Sequence, residues 1–373
     1  MRQILCCLVL ALLVQACTSH AQTGPLALLK SGKYAELDTH YASVQKRYET
    51  GALHDEELYT EFRALYEDAA ANEPYFSAWV EAFPKSYVAR LARGTYYYRM
   101  AWFVRGEKSI RETPPGQLQQ MQRYAALARP DLVASFEMTR KPYLTALYML
   151  NLTTLAGSKE ERQKWFEIGT RIDPQNLFVR QRWMFGLQPR WGGSYEQMAE
   201  FLADCERQHL PERTLAKLRL VMMRDIAEET SQGAPAQQRY AMWGEILHVE
   251  TLADEPPSPN AVMGRARAAW DMNRRAEADE GLEQLETMRI DSAWILSTMG
   301  WMYTQENRLQ EAWPALRRAA ELDDAWSQFA VGKTIYQGCA DINVPADREA
   351  GLVWIRRAAN QHFGEAEDFL RQQ

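Results

Sequence analysis

Basic and aromatic side chains are concentrated in residues 87–105, whose apolar residues recur three and four apart and predict a helix. Arg90, Arg93 and Tyr97 fall on one face of this helix, at spacings of three and seven residues. Three further cations lie near its end: Arg99, Arg105 and Lys108. Such a set could form a guanidinium pocket for a carboxylate or a phosphate. The alternative is that the cations pair with acids of neighbouring helices or stack on rings.

A second group lies in residues 189–197, where Arg190 and Trp191 precede two glycines. Ser194 with Gln197 three residues later has the spacing of a capping box, so a structured loop leads into a helix here. A rigid loop with an exposed Arg and Trp could be a contact site. The alternative is a tight turn that needs glycine to pass close to its neighbour.

The sequence contains no recognisable catalytic or metal-binding motif. Its six histidines are isolated, with no pair at metal-ligand spacing. Neither a nucleophile elbow nor a phosphate-binding glycine-rich loop is present. Carboxylates at helical spacing, such as Glu200 with Asp204, are typical of solvated helix faces. The sequence therefore predicts no cofactor, metal or catalytic residue, and an enzyme would require residues that only the fold brings together.

Charge and composition limit the partners. The formal net charge is -6, with 43 basic and 49 acidic residues, which gives no reason to expect a nucleic-acid partner. The 12 Trp and 17 Tyr favour the filling of wide gaps between stacked helices. We expect a protein or peptide partner, and contact with a membrane only through a lipid at the N-terminus.

Residues 1–21 have the features of a bacterial export signal. Arg2 precedes an apolar run, residues 4–14, that is too short to span a bilayer. Small residues at Ser19 and Ala21 suit cleavage after Ala21, whereas residues 14–17 resemble a lipobox that would lipidate Cys17 and be cut before it. Cleavage at either site predicts an exported chain, which is free in the periplasm or anchored to the envelope by lipid.

Export leaves Cys205 and Cys339 as the thiols of the mature domain. An oxidising compartment would permit a disulfide between them. However, they are 134 residues apart, and distant repeats of a helical array do not touch, which favours two independent thiols.

The remaining chain predicts helices throughout, including 116–128, 130–138, 143–156, 211–229 and 236–250. Glu255–Pro259 is the best boundary between domains. Beyond it, Asn273 and Arg274 recur as Asn307 and Arg308, 34 residues later. Residues 293–324 predict one helix-turn-helix unit in which Gly300 and Ala312 face each other where the helices cross.

This period and pattern resemble the tetratricopeptide repeat. Residues 326–370 resemble a Sel1-like repeat, a longer relative, through residues that include Gly332, Gly338, Asp347, Trp354 and Ala366. Together these resemblances predict an all-α class, a right-handed superhelix of helix pairs. We expect a signal at 1–21, a helical domain at 22–250 and repeats at 258–373.

Residues 25–230 resemble the bacterial family called domain of unknown function 4034. The motifs that carry this resemblance are residues 84–94, 105–107, 129–132, 141–143 and 189–195. The family implies a fold and no assigned activity. Its matching positions suggest one shared ligand or partner surface made of Arg90, Arg93, Arg105, Arg190 and Trp191, to which the helix face adds Tyr97.

Three functions remain open on the sequence. The leading hypothesis is an exported protein-interaction or scaffold module, since helical arrays present grooves for peptides or partner helices. A toxin-neutralising or secretion-associated partner is a variant of this binding class. The alternative is an envelope enzyme, or a glycan- or peptidoglycan-binding protein, that uses an Arg- and Trp-lined pocket.

Overall fold

The structure is a computed structural model that describes residues 24–66, 71–106, 112–231 and 233–372. The predicted signal, Cys17 and Lys108 lie outside these residues. Within them the chain is helical without a strand, and its one isolated β-bridge joins Cys339 to Val344. No described helix is both long and apolar enough to cross a bilayer.

The chain divides into two compact units, the first ending at Met222 and the second spanning Met223–Gln373. The helices of the first unit are α1 Pro25–Lys30, α2 Tyr34–Glu49, α3 Asp55–Arg63, α4 Glu73–Ala82, α5 Tyr87–Arg105, α6 Pro115–Phe136, α7 Tyr143–Ala156, α8 Lys159–Ile172, α9 Phe178–Gly186 and α10 Tyr195–Arg207. The next helix, α11 Glu212–Thr230, contains the division between the units. Those of the second unit are α12 Ala236–Leu252, α13 Pro259–Asp271, α14 Arg275–Glu286, α15 Ala293–Gln305, α16 Leu309–Glu321, α17 Ala325–Gln337, α18 Arg348–Asn360 and α19 Gly364–Arg371.

In the second unit, the 34-residue repeat is confirmed. Helices α13 and α15 begin at 259 and 293, and α14 and α16 begin at 275 and 309, so both pairs of starts differ by 34. Asn273 and Asn307 end the corresponding turns with φ of 60° and 58°. This left-handed conformation suits Asn after a helix terminus and allows the tight reversal that each repeat needs.

At the crossing of α15 and α16, Gly300 packs against a different residue from the predicted Ala312. A Cβ added to Gly300 would lie 2.4 Å from Leu316 Cδ2, whereas Ala312 is not among its nearest neighbours. The glycine therefore makes room for the larger leucine one turn further along α16. Ala312 is still buried in the core of this unit.

Serine caps fix several helix starts in the first unit. Ser86, Ser158 and Ser194 each accept a hydrogen bond from the amide three residues later, which for Ser194 confirms the cap predicted from its spacing to Gln197. The predicted break between 128 and 130 is wrong, because α6 runs continuously through Pro130. The helix loses one backbone hydrogen bond there, and the side chains on either side, Arg129 and Asp131, bind residues of neighbouring helices.

The unit division also differs from the predicted boundary at 250–258. Helix α12, which precedes the proline-rich segment, packs along α13, which follows it. Both helices therefore belong to the second unit.

Candidate functional site

Two of the predicted site residues, Arg90 and Arg93 of α5, bind the same carboxylate, that of Asp131 on α6. Arg90 Nη1 is 2.8 Å from Asp131 Oδ1. Arg93 donates from Nε to Oδ2 at 2.6 Å and from Nη2 to Oδ1 at 3.0 Å. The Asp131 side chain is 3% exposed, and its hydrogen bonds raise the pKa of Arg93. These arginines therefore form an internal ion-pair network between two helices.

Tyr97 extends this network to α4. Its hydroxyl donates to Glu73 Oε1 at 2.7 Å, and the Ser77 hydroxyl donates to the same oxygen at 2.7 Å. Burial, together with the hydrogen bond to the Glu73 carboxylate, raises the pKa of Tyr97 to about 12. Arg90, Arg93 and Tyr97 thus find their partners on both neighbouring helices.

The backbones of α5 and α6 approach closely beside these ion pairs. A Cβ added to Gly94 would lie 2.8 Å from Leu132 Cγ and 3.2 Å from the Leu132 amide nitrogen. Two of the sequence motifs, 84–94 and 129–132, therefore meet at one helix crossing. Their arginines, aspartate and glycine are the residue types that such a crossing requires.

Arg105 and Trp191 come together at the other end of α5. The Arg105 guanidinium carbon is 5.4 Å from the Trp102 ring centroid and 5.5 Å from that of Trp191. The two indoles meet edge to face with centroids 6.0 Å apart. Because fifteen residues of helix separate Arg90 from Arg105, the two groups lie about 20 Å apart along the axis. The predicted surface is thus divided between two places.

Arg190 lies on the rim of this second group. Its Nε donates to Gln188 Oε1 at 3.2 Å, and its guanidinium carbon is 5.7 Å from the Phe185 ring centroid. The glycines that follow are required by the turn. Gly192 has a φ of 84°, and a Cβ on Gly193 would lie 2.1 Å from the Leu187 carbonyl oxygen.

A cavity of about 750 Å³ lies beside Trp102, within the first unit. Helices α3, α5, α7, α9 and α11 supply its lining: Tyr59, Tyr98, Arg99, Trp102, Phe103, Leu147, Tyr148, Asn151, Phe178, Gln181, Arg182, Phe185 and Val221. Phe103 is 67% exposed, so this wall is accessible from solvent. The size is typical of sites for small ligands, and the lining combines aromatic rings with a few polar groups.

Two arginines of the lining have buried nitrogens without an acceptor among the described residues. In Arg182 these are Nε and Nη2, and in Arg99 it is Nε. Both side chains are nevertheless held in place. The Arg182 guanidinium carbon is 5.5 Å from the Trp102 ring centroid and 4.7 Å from that of Phe185, and Arg99 Nη2 donates to the Tyr66 carbonyl oxygen at 3.3 Å.

The electrostatics of the cavity are positive. None of its lining residues is acidic, and within the described residues neither Arg99 nor Arg182 forms an ion pair. Burial and the nearby charge of Arg182 lower the pKa of Arg162, whose guanidinium lies behind the cavity on Trp183. The Arg99 and Arg182 side chains are half-buried, and their buried nitrogens would be satisfied by an anion.

Tyrosine hydroxyls remain donors at this site. Burial raises the pKa of Tyr98, although the nearby charge of Arg182 reduces this rise. Burial also raises the pKa of Tyr148 well above its usual value. Both phenols therefore stay protonated at neutral pH. Together with the arginines they offer hydrogen bonds and aromatic faces, the chemistry of binding.

The sequence predicts Arg99 only as additional charge, and it predicts no role for Arg182 or Asn151. One feature of the sequence points to Arg182 and another to Asn151. Helix α9 carries two arginines among three aromatic residues in nine positions, and Asn151 interrupts the apolar run of α7. Neither signal identifies the cavity, because its walls come from five separate helices.

Other predicted features can be placed briefly. Both Cys205, buried in the first unit, and Cys339, in the second, are free thiols. No group of three or more His, Cys, Asp or Glu suited to a metal occurs in the described part of the chain. The lipidation candidate Cys17 lies outside that part.

Solved structures similar to this chain are distant helical-repeat proteins. A Sel1 repeat protein from Oxalobacter formigenes has 15% identity and a TM-score of 0.44, with 94% of each chain covered. The human IFIT1 dimer with PPP-AAAA has 13% identity and a TM-score of 0.41, covering 91% of this chain and 82% of that one. The protective antigen c5321 of uropathogenic Escherichia coli, with an SLR fold, has 14% identity and a TM-score of 0.30, covering 87% of this chain and 80% of that one.

No curated protein matches the sequence significantly. A family profile does match, over residues 26–160 and 153–225, and it ends close to the division between the two units. Since the matched residues make up more than half of the 373, the chain belongs to the family described as domain of unknown function (DUF4034).

Proposed function

We propose that this protein is an exported helical-repeat binding module whose first unit holds the anionic group of a partner or ligand. One observation carries the proposal: the cavity beside Trp102 contains two arginines, Arg99 and Arg182, with buried donors and no acceptor among the described residues. A partner that supplies a negative charge would satisfy these donors and offset their desolvation.

Binding explains the lining better than catalysis does. The side chains provide guanidinium donors, phenol hydroxyls and aromatic faces, whereas general acid–base work at neutral pH needs a carboxylate, histidine or similar group near its usual range. Helical arrays commonly present such sites to other proteins. We therefore favour a protein or peptide partner within the interaction class, and no nucleic acid.

The test is an affinity capture from envelope extracts with the mature chain. The wild type is compared with a double variant, Arg99→Gln with Arg182→Gln, and with Arg123→Gln as the matched control. Arg123 is an exposed arginine of the same unit, on α6 and outside the cavity. We expect a specific partner to be retained by the wild type and the control and lost by the double variant.

Circular dichroism and melting curves must show that all three proteins are folded. Retention of the same partner by the folded double variant would show that the cavity is not the binding site. Retention of no protein or anionic ligand by the folded wild type would contradict the proposed function itself.

Export is part of the proposal and has its own test. The apolar run before Cys17 and the small residues Ser19 and Ala21 support it. Cell fractionation of the wild type and of Cys17→Ser, with metabolic labelling by a fatty-acid analogue, separates the two forms. A labelled wild type in the membrane fraction, with an unlabelled soluble variant, indicates a lipid anchor; a soluble, unlabelled periplasmic wild type indicates cleavage after Ala21. A cytoplasmic wild type would contradict export.

A further inference from the structure

The two guanidinium nitrogens of Arg182 that lack an acceptor are the pair that binds a carboxylate elsewhere in this protein. Arg93 uses the same atoms, Nε and Nη2, to bind the two oxygens of Asp131 at 2.6 and 3.0 Å. In Arg182 both atoms are buried and have no acceptor among the described residues. Nε and Nη2 lie on one edge of a rigid plane, and their spacing matches two coplanar carboxylate oxygens.

The Arg182 fork is held in a fixed orientation. Its guanidinium lies over two rings, with its carbon 5.5 Å from the Trp102 centroid and 4.7 Å from the Phe185 centroid. Aromatic stacking leaves the edge of the guanidinium available for hydrogen bonds in its plane. An arginine fixed in this way loses little side-chain entropy when an anion binds.

Two further residues of the cavity lining have a buried polar atom without a partner among the described residues. Arg99 contributes its buried Nε, and its Nη2 is already engaged by the Tyr66 carbonyl oxygen at 3.3 Å. Asn151, which is 8% exposed, contributes a buried Oδ1 that has no donor among the described residues. A ligand that fits both would carry an anion and an N–H or O–H donor.

The rest of the lining is aromatic. Tyr59 and Phe178 stack at a centroid distance of 4.4 Å, and Tyr98 and Tyr148 pack in a tilted arrangement at 5.8 Å. Such walls bind an apolar body, with rings favoured because they can stack on them. A volume of about 750 Å³ is larger than a bare inorganic anion needs.

We infer that this cavity binds a carboxylate attached to an apolar, ring-bearing body, with the Arg182 fork on the two carboxylate oxygens and Arg99 Nε as a third donor. Asn151 Oδ1 accepts from an N–H or O–H of the ligand. The inference rests on the proposed function, which requires only an anion. The carboxylate can belong to a free aromatic acid or to the C-terminus of a polypeptide with an aromatic last residue.

Calorimetric titration of the mature chain with four probes tests this. The probes are N-acetyl-L-phenylalanine, its amide, phenyl phosphate, and an acetylated Gly-Ala-Gly-Phe peptide with a free C-terminus. We expect N-acetyl-L-phenylalanine to bind about 10- to 100-fold more tightly than the amide, because charge-assisted hydrogen bonds are lost with the carboxylate. Tighter binding of the peptide than of the free acid would identify a polypeptide C-terminus as the source, and the reverse a small acid.

Arg182→Lys distinguishes the fork from charge alone. It keeps the positive charge but removes the planar pair of donors, so we expect about a tenfold loss for the free acid and little change for the amide. Arg123→Gln is the control and should leave all four affinities unchanged. If Arg182→Lys does not fold, Arg99→Gln is read in the same way, with the same selective loss expected.

The outcomes separate the two proposals. Equal binding of acid and amide, or an unchanged acid affinity in folded Arg182→Lys, overturns the carboxylate site. Phenyl phosphate binding more tightly than both carboxylates overturns it too, yet leaves an anion-binding module standing. If the folded wild type binds none of the four probes, the carboxylate site fails, and the affinity capture decides the proposed function separately.

Discussion

The two halves of α5 carry the same residue type in opposite surroundings. In the first half, Arg90 and Arg93 bind Asp131, whose side chain is 3% exposed. In the second half, Arg99 lines a cavity together with Arg182 of α9, and both have buried nitrogens without an acceptor among the described residues. One half of the helix is thus closed by an internal acid, whereas the other carries donors that have no acceptor among the described residues.

This difference is the reason why we propose a binding role for the arginines of the cavity and a structural role for Arg90 and Arg93. Burial is common to both halves, and aromatic contacts hold the arginines of the second. The deciding feature is the acceptor: a cation with buried donors and no acceptor carries a desolvation cost that a ligand can offset. Counting arginines along a helix does not reveal this, because Asp131 lies 41 residues from Arg90 in the chain.

The largest test of the comparison removes the shared acid. Asp131→Ala leaves Arg90 and Arg93, which are 26% and 20% exposed, without their carboxylate. We expect the free energy of unfolding to fall by about 3–5 kcal/mol, the usual loss when a buried pair is broken. Urea denaturation measures it, and Glu137→Ala, at an exposed position at the end of the same helix, is the control. A loss below about 1 kcal/mol would mean that this half of α5 does not depend on its ion pairs.

The second test concerns the close approach of α5 and α6. Alanine favours a helix over glycine by about 1 kcal/mol, yet at Gly94 its Cβ would lie 2.8 Å from Leu132 Cγ. Overpacking typically costs about 1–3 kcal/mol, so we expect Gly94→Ala to lower stability by about 1–2 kcal/mol.

Gly116→Ala is the matched control for this substitution. Gly116 lies in the first turn of α6 and has no atom within 4 Å of an added Cβ. Thermal unfolding should show the control unchanged or slightly stabilised. If Gly94→Ala is also stabilising, the crossing is looser than its geometry indicates, and close packing does not explain why the motif has a glycine at this position.

The sequence predicted the helical class and the repeat well because both depend on local patterns. The 34-residue period follows from Asn273 and Asn307, and each ends a turn with positive φ. Caps at Ser86, Ser158 and Ser194 are likewise set by residues three apart. Such features need no knowledge of distant partners.

The candidate site was only partly predictable because it depends on distant partners. Trp191 and Arg105 were named, and they lie together behind the cavity wall on Trp102. Arg182 and Asn151 were not named, since their role comes from a cavity lined by five helices. The predicted helix break at Pro130 is wrong for a related reason. Helix α6 continues through Pro130, and Asp131 beside it is bound by two arginines of α5.

A third, smaller test uses the pH dependence of Tyr97. Burial and Glu73 raise its pKa to about 12, so the folded state favours the neutral phenol. Its stabilising contribution is therefore present below pH 10, the usual pKa of tyrosine, and is lost as pH rises towards 12. Tyr97→Phe should cost about 0.5–1.5 kcal/mol at pH 8 through the lost hydrogen bond to Glu73, and the difference from wild type should shrink between pH 10 and 12.

Melting temperatures at pH 8 and pH 11 measure this change, with Tyr75→Phe, at an exposed tyrosine, as the control. A constant difference between wild type and Tyr97→Phe across this range would show that the phenol is not held in its neutral form by the network. In that case the first half of α5 would be closed by its ion pairs alone.

The smallest expected effect is the one that separates the two halves most sharply. Arg182→Met removes cation–π contacts with Trp102 and Phe185, each worth about 0.5–1 kcal/mol. It also removes two buried donors without an acceptor among the described residues, and a charge that, after burial, contributes to the lowered pKa of Arg162. These terms oppose one another, so we expect stability to change by less than about 1 kcal/mol in urea denaturation. Arg93→Met, made in parallel, should cost more than about 2 kcal/mol, since it takes two hydrogen bonds from a buried carboxylate. Equal losses from the two substitutions would mean that Arg182 stabilises the fold as Arg93 does, and the cavity would then have no more reason to bind an anion than the closed half of the helix.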